Sequence, residues 1–473
     1  MKFSAPIVEA MKKYSADKVL PFHTPGHKHG RGAHEFLKNL LTAEGFLQEV
    51  SLMDELDDLH APKTCIKQAQ KLAARLWHAD ETIFFVNGTT SAVQTMIFGT
   101  LKAGDLVFVP RNAHRSVMSG LILSGAKPIF LPVEFDAELN VPLNVKTETI
   151  ELAIKKYPQA RAILLVSPNY YGVVADLEKI SRIAHQNGMI LLIDEAHGAH
   201  LQFYAGKKSA MDAGADISAQ STHKILGSLT QTSMLMIKNS VDVEKIHRAA
   251  SILQTTSPNQ ILLASLDAAR LQMEIDGVKK ISAAISLAKK LRGELKLIDG
   301  LKIFENAGNF SLDATKITVN VRNLGLSGYE AEKILREDLK IQCELSDAEN
   351  LLFLVTYADD ESTISKLIEA MKKLPRKIQK KFFTPLISKE ISAAELSTRE
   401  TFYSAAEKID LKSSVGRISA EEVTFYPPGV PILIPGEKIS VEAVENINLA
   451  KKSGLKVFGA SDLSLETLKV VRE

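Results

Sequence analysis

The residues of this chain with the clearest chemical potential are an acid and a lysine, Asp194 and Lys224, 30 positions apart (224 − 194). Asp194 follows the apolar run 188–193, and Lys224 closes a Ser-Thr-His-Lys segment after the strand-like run 215–220. A lysine amine can condense with an aldehyde, and a carboxylate beside a pyridine nitrogen keeps that nitrogen protonated. The pair therefore predicts a pyridoxal phosphate (PLP) site. The competing interpretation of Asp194-Glu195 is a magnesium site or an ordinary turn after a strand.

A second segment has the composition of a phosphate site. Gly88, Thr89, Thr90 and Ser91 follow the apolar run 83–86 and precede a helical pattern. The amino terminus of a helix offers free N–H groups and the positive end of the dipole, to which the hydroxyls add further donors. Thr and Ser are also the ordinary N-cap residues, so this segment alone leaves both interpretations open.

His114 lies just past another apolar run, 106–109. At that place an imidazole could stack on a flat aromatic cofactor. It could equally bond to a loop carbonyl, which is a common role of histidine.

The elements that must position these residues are short apolar runs alternating with helical patterns. Such alternation predicts an α/β domain with a mostly parallel, seven-stranded sheet covered on both faces. The predicted strands are 82–86, 106–109, 128–131, 162–166, 190–193, 217–220 and 233–237. Trp77 and the pair Phe84-Phe85 are expected in the core.

Beyond residue 252 the pattern changes to two long helices, 260–277 and 279–297, followed by strands at 316–321 and 351–357 with a helix between them. A Lys-rich stretch that includes Lys380 and Lys381 then suggests a boundary. We predict four parts: an amino-terminal segment (1–62), a cofactor domain (63–252), a small α+β domain (253–375) and a C-terminal α+β domain (376–473).

The composition excludes several classes of protein. The 473 residues carry a net charge of +2, so no charge excess points to nucleic acid or to a membrane surface. No run is long enough to span a bilayer, and no signal peptide is recognisable. Cys65 and Cys343 lie 278 positions apart (343 − 65), which argues against a disulfide framework or a zinc ribbon. A cytoplasmic location is expected.

The densest histidine cluster is formed by His23, His27, His29 and His34. No paired cysteine or carboxylate stands at ligand spacing, so we expect no metal there. An active-site or dimer-contact loop is the favoured interpretation.

Taken together, the motifs resemble those of the bacterial ornithine/lysine/arginine decarboxylases, a family of fold-type I PLP enzymes. The matching segments follow one another in the family's order. They are 23–28, 56–60, 87–90, 112–116, 194–200, 221–224, 426–431 and 435–437. With about twenty residues before His23, the chain resembles the short forms that lack an amino-terminal wing domain, and it looks most like the arginine decarboxylases.

The resemblance implies a role for each matching residue. Lys224 would form the Schiff base with PLP, Asp194 would bind the pyridine nitrogen and His114 would stack on the ring. Lys224 and His223 both remain candidates for the proton donor. The other implied cofactor contacts are Gly88, Thr89, Thr90, Ser221 and His223 at the phosphate, Ala196 behind the ring and His197 near the ring hydroxyl. Two positions depart from the family: Asn169 stands where Thr is usual, and Glu49 where Asp is usual.

The resemblance also implies decarboxylation of a basic L-amino acid by a homodimer or a dimer of dimers. Arginine, giving agmatine for polyamine metabolism, is the expected substrate, with lysine and ornithine as alternatives. Other classes left open are an α-oxoamine synthase or aminotransferase and a PLP-fold regulatory subunit.

Glu437 and His23 are the candidate substrate contacts, with Glu437 reading the distal positive charge. The alternative for Glu437 is capping of the helix pattern that starts at Ser440. Glu344 and Asp347 are the next acids to consider.

Overall fold

A computed structural model describes residues 3–378, 388–426, 429–453 and 455–473. Predicted features at Lys380, Lys381, Pro427 and Pro428 lie outside these ranges. The chain divides into two compact units. The first comprises Met1–Thr100 with Leu192–Lys279, and the second comprises Leu101–Leu191 with Lys280–Glu473.

The helices, in chain order, are α1 (Pro6–Ala16), α2 (Glu35–Leu40), α3 (Ala43–Gln48), α4 (Cys65–Leu76), α5 (Gly88–Thr100), α6 (Arg115–Ser124), α7 (Thr147–Lys156), α8 (Leu177–Gln186), α9 (Thr222–Ile225), α10 (Val243–Leu253), α11 (Gln260–Lys296), α12 (Gly328–Glu337), α13 (Glu361–Lys372), α14 (Thr398–Tyr403) and α15 (Val441–Lys452).

The strands, in chain order, are β1 (Glu81–Phe85), β2 (Leu106–Pro110), β3 (Lys127–Leu131), β4 (Phe135–Asp136), β5 (Val141–Pro142), β6 (Ala162–Val166), β7 (Val173–Val174), β8 (Ile190–Asp194), β9 (Ile217–Gln220), β10 (Ser233–Ile237), β11 (Lys302–Ile303), β12 (Ser311–Leu312), β13 (Lys316–Asn320), β14 (Leu345–Ser346), β15 (Asn350–Leu354), β16 (Ser392–Ala393), β17 (Ala406–Asp410), β18 (Val423–Tyr426), β19 (Val430–Leu433), β20 (Lys456–Phe458) and β21 (Thr467–Val471).

In the first unit, four neighbouring strands follow the order β1-β10-β9-β8. The first two pairings are antiparallel, whereas β9 and β8 run parallel, with Asp194 opposite Ala219. The predicted core residues Trp77, Phe84 and Phe85 are fully buried here, as expected. Because β8 and β9 are parallel neighbours, their carboxyl ends lie side by side at one edge of the unit.

In the second unit, β6, β2 and β3 are parallel neighbours, and the short β16 joins β3 in the antiparallel sense. A separate antiparallel sheet, ordered β11-β13-β15-β14, packs with α12 and α13 around its own apolar core. The C-terminal part adds the pair β17-β21 and the sheet β19-β18-β20. All seven predicted strands form, and the α/β class is confirmed.

The break predicted between two long helices is present inside α11. The helix runs over Gln260–Lys296, but Asp276 has φ −144° and ψ 19°, which interrupts the helical backbone there. No helix in the described part of the chain is long and apolar enough to cross a membrane.

Candidate active site

Asp194 is the last residue of β8 and is 3% exposed. The strand Ile-Leu-Leu-Ile-Asp carries it to the sheet edge, where its Oδ1 accepts a hydrogen bond from the Ala196 backbone N–H (3.1 Å). That bond ties the turn after the strand to the acid, so the predicted contact Ala196 lies beside Asp194. The prediction that the acid stands at the carboxyl end of a strand is confirmed.

Lys224 lies on α9, the single turn of helix that follows β9. Its Nζ is 2.9 Å from Nε2 of His197, which is three positions beyond Asp194. The lysine and the acid therefore belong to neighbouring strand ends, and His197 contacts the amine between them. The structure therefore brings these three predicted site residues to neighbouring strand ends.

His223 is half-buried, and its Nδ1 lies 2.8 Å from the Thr232 carbonyl oxygen. Since a carbonyl only accepts, Nδ1 carries the hydrogen. Burial lowers the pKa of His223; the hydrogen bond to Thr232 raises it, and the positive charge of Lys224 lowers it further. The net lowering favours a neutral imidazole whose Nε2 is an acceptor.

The phosphate segment opens α5, a helix of 13 residues. Gly88 has φ +77°, a conformation that disfavours side chains, and its N–H donates to the Gln231 carbonyl (2.7 Å). Thr89 is buried, whereas Thr90 is exposed. The helix terminus thus presents Thr89 toward the interior of the unit and Thr90 toward its surface.

The hydroxyl of Thr89 joins a buried cluster from three strand ends. Its Oγ1 is 2.5 Å from Ser221 Oγ and 2.9 Å from Ser233 Oγ, and Ser233 donates to the Gln220 carbonyl oxygen (2.7 Å). The nearby Thr222 Oγ1 is buried and has no hydrogen-bond partner within the described part of the chain. Ser233 was not predicted, since nothing local in the sequence relates it to Thr89, 144 positions away.

Glu195, which the sequence placed with Asp194 in the alternative of a magnesium site, has a structural role that was not predicted. It is fully buried and accepts hydrogen bonds from Ala210 N–H (2.8 Å), Ser218 Oγ–H (2.7 Å) and Gln220 Nε2 (2.8 Å). Burial raises the pKa of the Glu195 carboxyl to about 7, against these hydrogen bonds, which lower it. The acid fastens the end of β8 to β9 directly behind Asp194.

These residues fit PLP chemically. A lysine, a buried acid at the adjacent strand end, and hydroxyls beside a helix amino terminus match the cofactor's aldehyde, pyridine nitrogen and phosphate. Thr222, next to Ser221 in the sequence, adds a buried hydroxyl that has no hydrogen-bond partner in the described part of the chain.

In the second unit, His114 is the N-cap of α6. Its Nδ1 accepts from the Ser116 backbone N–H (3.2 Å) and lies 2.8 Å from Ser116 Oγ, while the residue as a whole is exposed. The capping contact fixes the orientation of the ring. Stacking on a cofactor remains a prediction from the resemblance.

Glu437 forms a buried ion pair with Arg111. Its two oxygens accept from the two terminal nitrogens of Arg111 (2.6 and 2.7 Å), and one also accepts from the Ile434 backbone N–H (3.0 Å). The helix-capping alternative is wrong, because Ser440 caps α15 through the Ala443 N–H. Reading a substrate charge stays untested, but the carboxylate already neutralises Arg111, which argues against that role.

We expect Glu437→Gln to lower the free energy of unfolding by about 3 kcal/mol, because it leaves the buried Arg111 charge unpaired. Urea denaturation of purified protein measures this. The control is Glu407→Gln, which breaks the more exposed pair with Arg417 and should cost less than about 1 kcal/mol. Equal costs for the two variants would contradict a structural role for the Arg111 pair.

Two of the amino-terminal histidines contact neighbouring elements of the amino-terminal segment. His23 Nε2 lies 3.0 Å from the Tyr14 hydroxyl, and His27 Nε2 lies 2.7 Å from Glu49 Oε2. Glu49 also accepts from Asn259 Nδ2 (3.3 Å), so the departure at this position provides a bridge between the loop and the start of α11. Within the described ranges, no group of three or more His, Cys, Asp and Glu residues could hold a metal.

Asn169, the other departure, is a buried structural residue. Its amide nitrogen donates to the carbonyls of Pro142 and Leu143, and its oxygen accepts from the backbone N–H groups of Tyr171 and Val173. These four hydrogen bonds all go to neighbouring backbone groups, so the Asn169 side chain holds the local backbone in place.

The two other acids considered for substrate binding, Glu344 and Asp347, also have hydrogen-bond partners. Glu344 accepts from the Tyr170 hydroxyl (2.6 Å), and Asp347 accepts from the Tyr171 hydroxyl (3.1 Å). Burial raises the pKa of Asp347 to about 6. Asp347 is buried among its donors and is not available to a substrate, whereas Glu344 is exposed and one of its oxygens accepts from Tyr170.

Comparison with solved structures defines the class. The chain is similar to the lysine decarboxylase of Francisella novicida, with a TM-score of 0.87 at 22% identity over 100% of this chain and 82% of that one. It also resembles an alanine–glyoxylate aminotransferase from Nostoc, with a TM-score of 0.54 at 18% identity over 65% of this chain and 86% of that one. The fold is that of the fold-type I PLP enzymes. Together with the match to the Orn/Lys/Arg decarboxylase major domain over residues 5–319, it shows that PLP is the cofactor.

The family follows from the sequence comparisons. Profiles for the Orn/Lys/Arg decarboxylase major domain and C-terminal domain match residues 5–319 and 376–456. The chain is 40% identical to an arginine decarboxylase of Bacillus anthracis over 100% of its length and 98% of that protein. It is 38% identical to one of Bacillus subtilis, covering 99% and 98%. The chain belongs to the Orn/Lys/Arg decarboxylase family and is a decarboxylase of basic amino acids, as the motifs predicted.

Proposed function

We propose that the enzyme decarboxylates L-arginine to agmatine and carbon dioxide, feeding polyamine metabolism. The observation that carries the choice of substrate is the full-length similarity to proteins named arginine decarboxylases, at 37% to 40% identity. The match to a Pseudomonas aeruginosa lysine decarboxylase is weaker, at 28% identity over 57% of this chain. Lysine is therefore the second candidate.

We propose that Lys224 and Asp194 perform the chemistry. Bound PLP supplies an electron-accepting ring for the electron pair left when carbon dioxide departs. The Asp194 carboxylate would hold the pyridine N–H, and the Lys224 amine would attach the aldehyde. His197, 2.9 Å from that amine, would hold Nζ in place.

We propose that Lys224 rather than His223 delivers the proton to the product. A proton donor must carry a hydrogen at the atom that faces the substrate. The Nδ1 hydrogen of His223 is directed to Thr232, and the lowered pKa leaves Nε2 without one. Lys224 has three hydrogens when it is protonated.

The substrate proposal is tested by measuring carbon dioxide release from arginine, lysine and ornithine with the purified, PLP-loaded protein. We expect kcat/KM for arginine to exceed the other two by at least about tenfold, because a site that binds a guanidinium through several hydrogen bonds rejects substrates lacking them. A preference for lysine or ornithine would refute arginine, and no release from any of the three would refute the decarboxylase chemistry.

We propose that the protein works as a homodimer or a dimer of dimers. Closed two-fold dimers are the commonest assembly of soluble enzymes, and the acids considered for substrate binding in this chain, Glu437, Glu344 and Asp347, already have partners. A second copy could supply the missing carboxylate. A monomeric mass in light scattering, with full activity retained, would exclude this.

We also propose a cytoplasmic location. Cys65 and Cys343 are free, buried thiols, and burial raises the pKa of Cys65 as well as that of Cys343, the latter to about 12. Unpaired thiols are typical of reducing compartments. Fractionation of cells that express the protein would test the location.

A further inference from the structure

The hydroxyls of Ser221, Thr89 and Ser233 form a chain in which the position of each hydrogen can be deduced. Ser233 gives its only hydroxyl hydrogen to the Gln220 carbonyl, because a carbonyl cannot donate. Ser233 must then accept from Thr89. The only hydrogen of Thr89 is used in that bond, so Ser221 donates across the 2.5 Å contact to Thr89. The chain runs in one direction, from Ser221 to Gln220.

This direction has a consequence for an anion. A phosphate dianion offers acceptors only. For Ser221 to donate to it, the hydrogen must leave the contact with Thr89. Two oxygens 2.5 Å apart cannot face each other without a hydrogen, so Thr89 has to turn its own hydrogen from Ser233 to Ser221. Phosphate binding therefore breaks the bond between Thr89 and Ser233.

We propose that Ser233 lowers the affinity of the site for the phosphate group of PLP by competing for the hydroxyl hydrogen of Thr89. The proposal deepens the proposed function and rests on it, since it takes Ser221 as a hydroxyl donor to the phosphate and Thr89 as the hydrogen-bond partner of Ser221. Ser233 is buried at the first position of β10 and stabilises the protein before the phosphate arrives. The bond it makes with Thr89 is given up on binding.

The test is Ser233→Ala. Removing the acceptor frees the hydrogen of Thr89 beforehand, so no bond is lost when phosphate binds. We expect the Kd of the apoenzyme for PLP to fall by about 3- to 10-fold, which corresponds to one neutral hydrogen bond. The substitution also leaves a small cavity. Its free-energy cost is the same with and without the cofactor, so it does not change the Kd.

Pyridoxal, which lacks the phosphate, isolates the effect. Its Kd should be the same in wild type and Ser233→Ala, while the dissociation constant of inorganic phosphate should fall in the variant by about the same factor as that of PLP. Ser233→Thr restores an acceptor and should return the PLP affinity toward the wild-type value. Thr82→Val is the matched control. Thr82 Oγ1 is another buried hydroxyl of these strands, and it bonds to Met236 Sδ, which is not part of the hydrogen-bonded series formed by Ser221, Thr89 and Ser233.

An unchanged or weaker PLP affinity in Ser233→Ala, or an equal shift for pyridoxal, would overturn the proposal. If Ser233→Ala does not fold, Ser233→Cys keeps the volume with a weak acceptor and should shift the PLP Kd in the same direction. A wild-type protein that binds PLP without a covalent link to Lys224 would instead refute the proposed function, so the two failures are distinguishable.

Discussion

Lys224→Ala is expected to lower kcat by about 10²- to 10⁴-fold, because the variant loses both the amine that attaches PLP and the proposed proton donor. Borohydride reduction of the wild type should fix PLP on the protein, and peptide mapping should locate the label on Lys224. In Lys224→Ala the same treatment should leave no stable label. The label reports attachment of the cofactor, whereas kcat reports the combined loss of both roles of the amine.

Two controls sharpen the experiment. Lys245→Ala removes an exposed lysine on α10 in the same unit and should change neither the label nor the rate. Adding a small primary amine to Lys224→Ala should restore part of the activity if the missing group is simply an amine. A label on another lysine in the wild type would show that the site has been assigned to the wrong residue.

The sequence predicted those parts of the fold and site that depend on local patterns. The strands at 162–166, 217–220 and 233–237 have the predicted bounds, and each is a fully or nearly fully buried run bounded by polar residues, although 217–220 itself contains Ser218 and Gln220. Asp194 was found because it directly follows an apolar run, and Lys224 because it closes the Ser-Thr-His-Lys segment after a short strand. The parallel pairing of β8 and β9 then brings the two strand ends together.

The contacts that were missed join positions far apart in the chain. Arg111 and Glu437 are 326 positions apart, and Thr89 and Ser233 are 144 apart. A hydrogen bond of this kind depends on which strand ends become neighbours, and hydrophobic periodicity carries no information about it. One error was local: Ser440, directly before the helical pattern, was the better N-cap candidate than Glu437.

Glu195 illustrates a third reason why part of the site could not be predicted from the sequence. In the sequence it reads as a companion of Asp194, equally suited to chemistry, yet its three donors all come from elements that pack behind the strand end. Both acids are buried, and alternation along an extended segment places their side chains on opposite sides. The sequence alone does not reveal which side is the interior.

The second large effect is expected for Asp194→Asn. The asparagine keeps an oxygen for the Ala196 N–H but cannot provide the negative charge that holds the pyridine nitrogen protonated. Loss of a single well-placed group that stabilises charge in a transition state typically costs about 10²- to 10³-fold in kcat. We expect that loss in carbon dioxide release under saturating PLP. Asp194→Ala should lose as much or more, because it also removes the bond to the turn.

The PLP Kd decides whether the charge acts on the reaction or on binding. Since phosphate and lysine contacts are untouched in Asp194→Asn, its Kd should rise far less than kcat falls. Asp242→Asn is the control: Asp242 caps α10 by accepting from the Lys245 N–H, and asparagine caps as well as aspartate. A turnover within tenfold of wild type in Asp194→Asn would contradict the proposed role. A large rise in the PLP Kd with a normal kcat would instead show that the Asp194 charge contributes to cofactor binding. It would then not contribute to stabilising the transition state of decarboxylation.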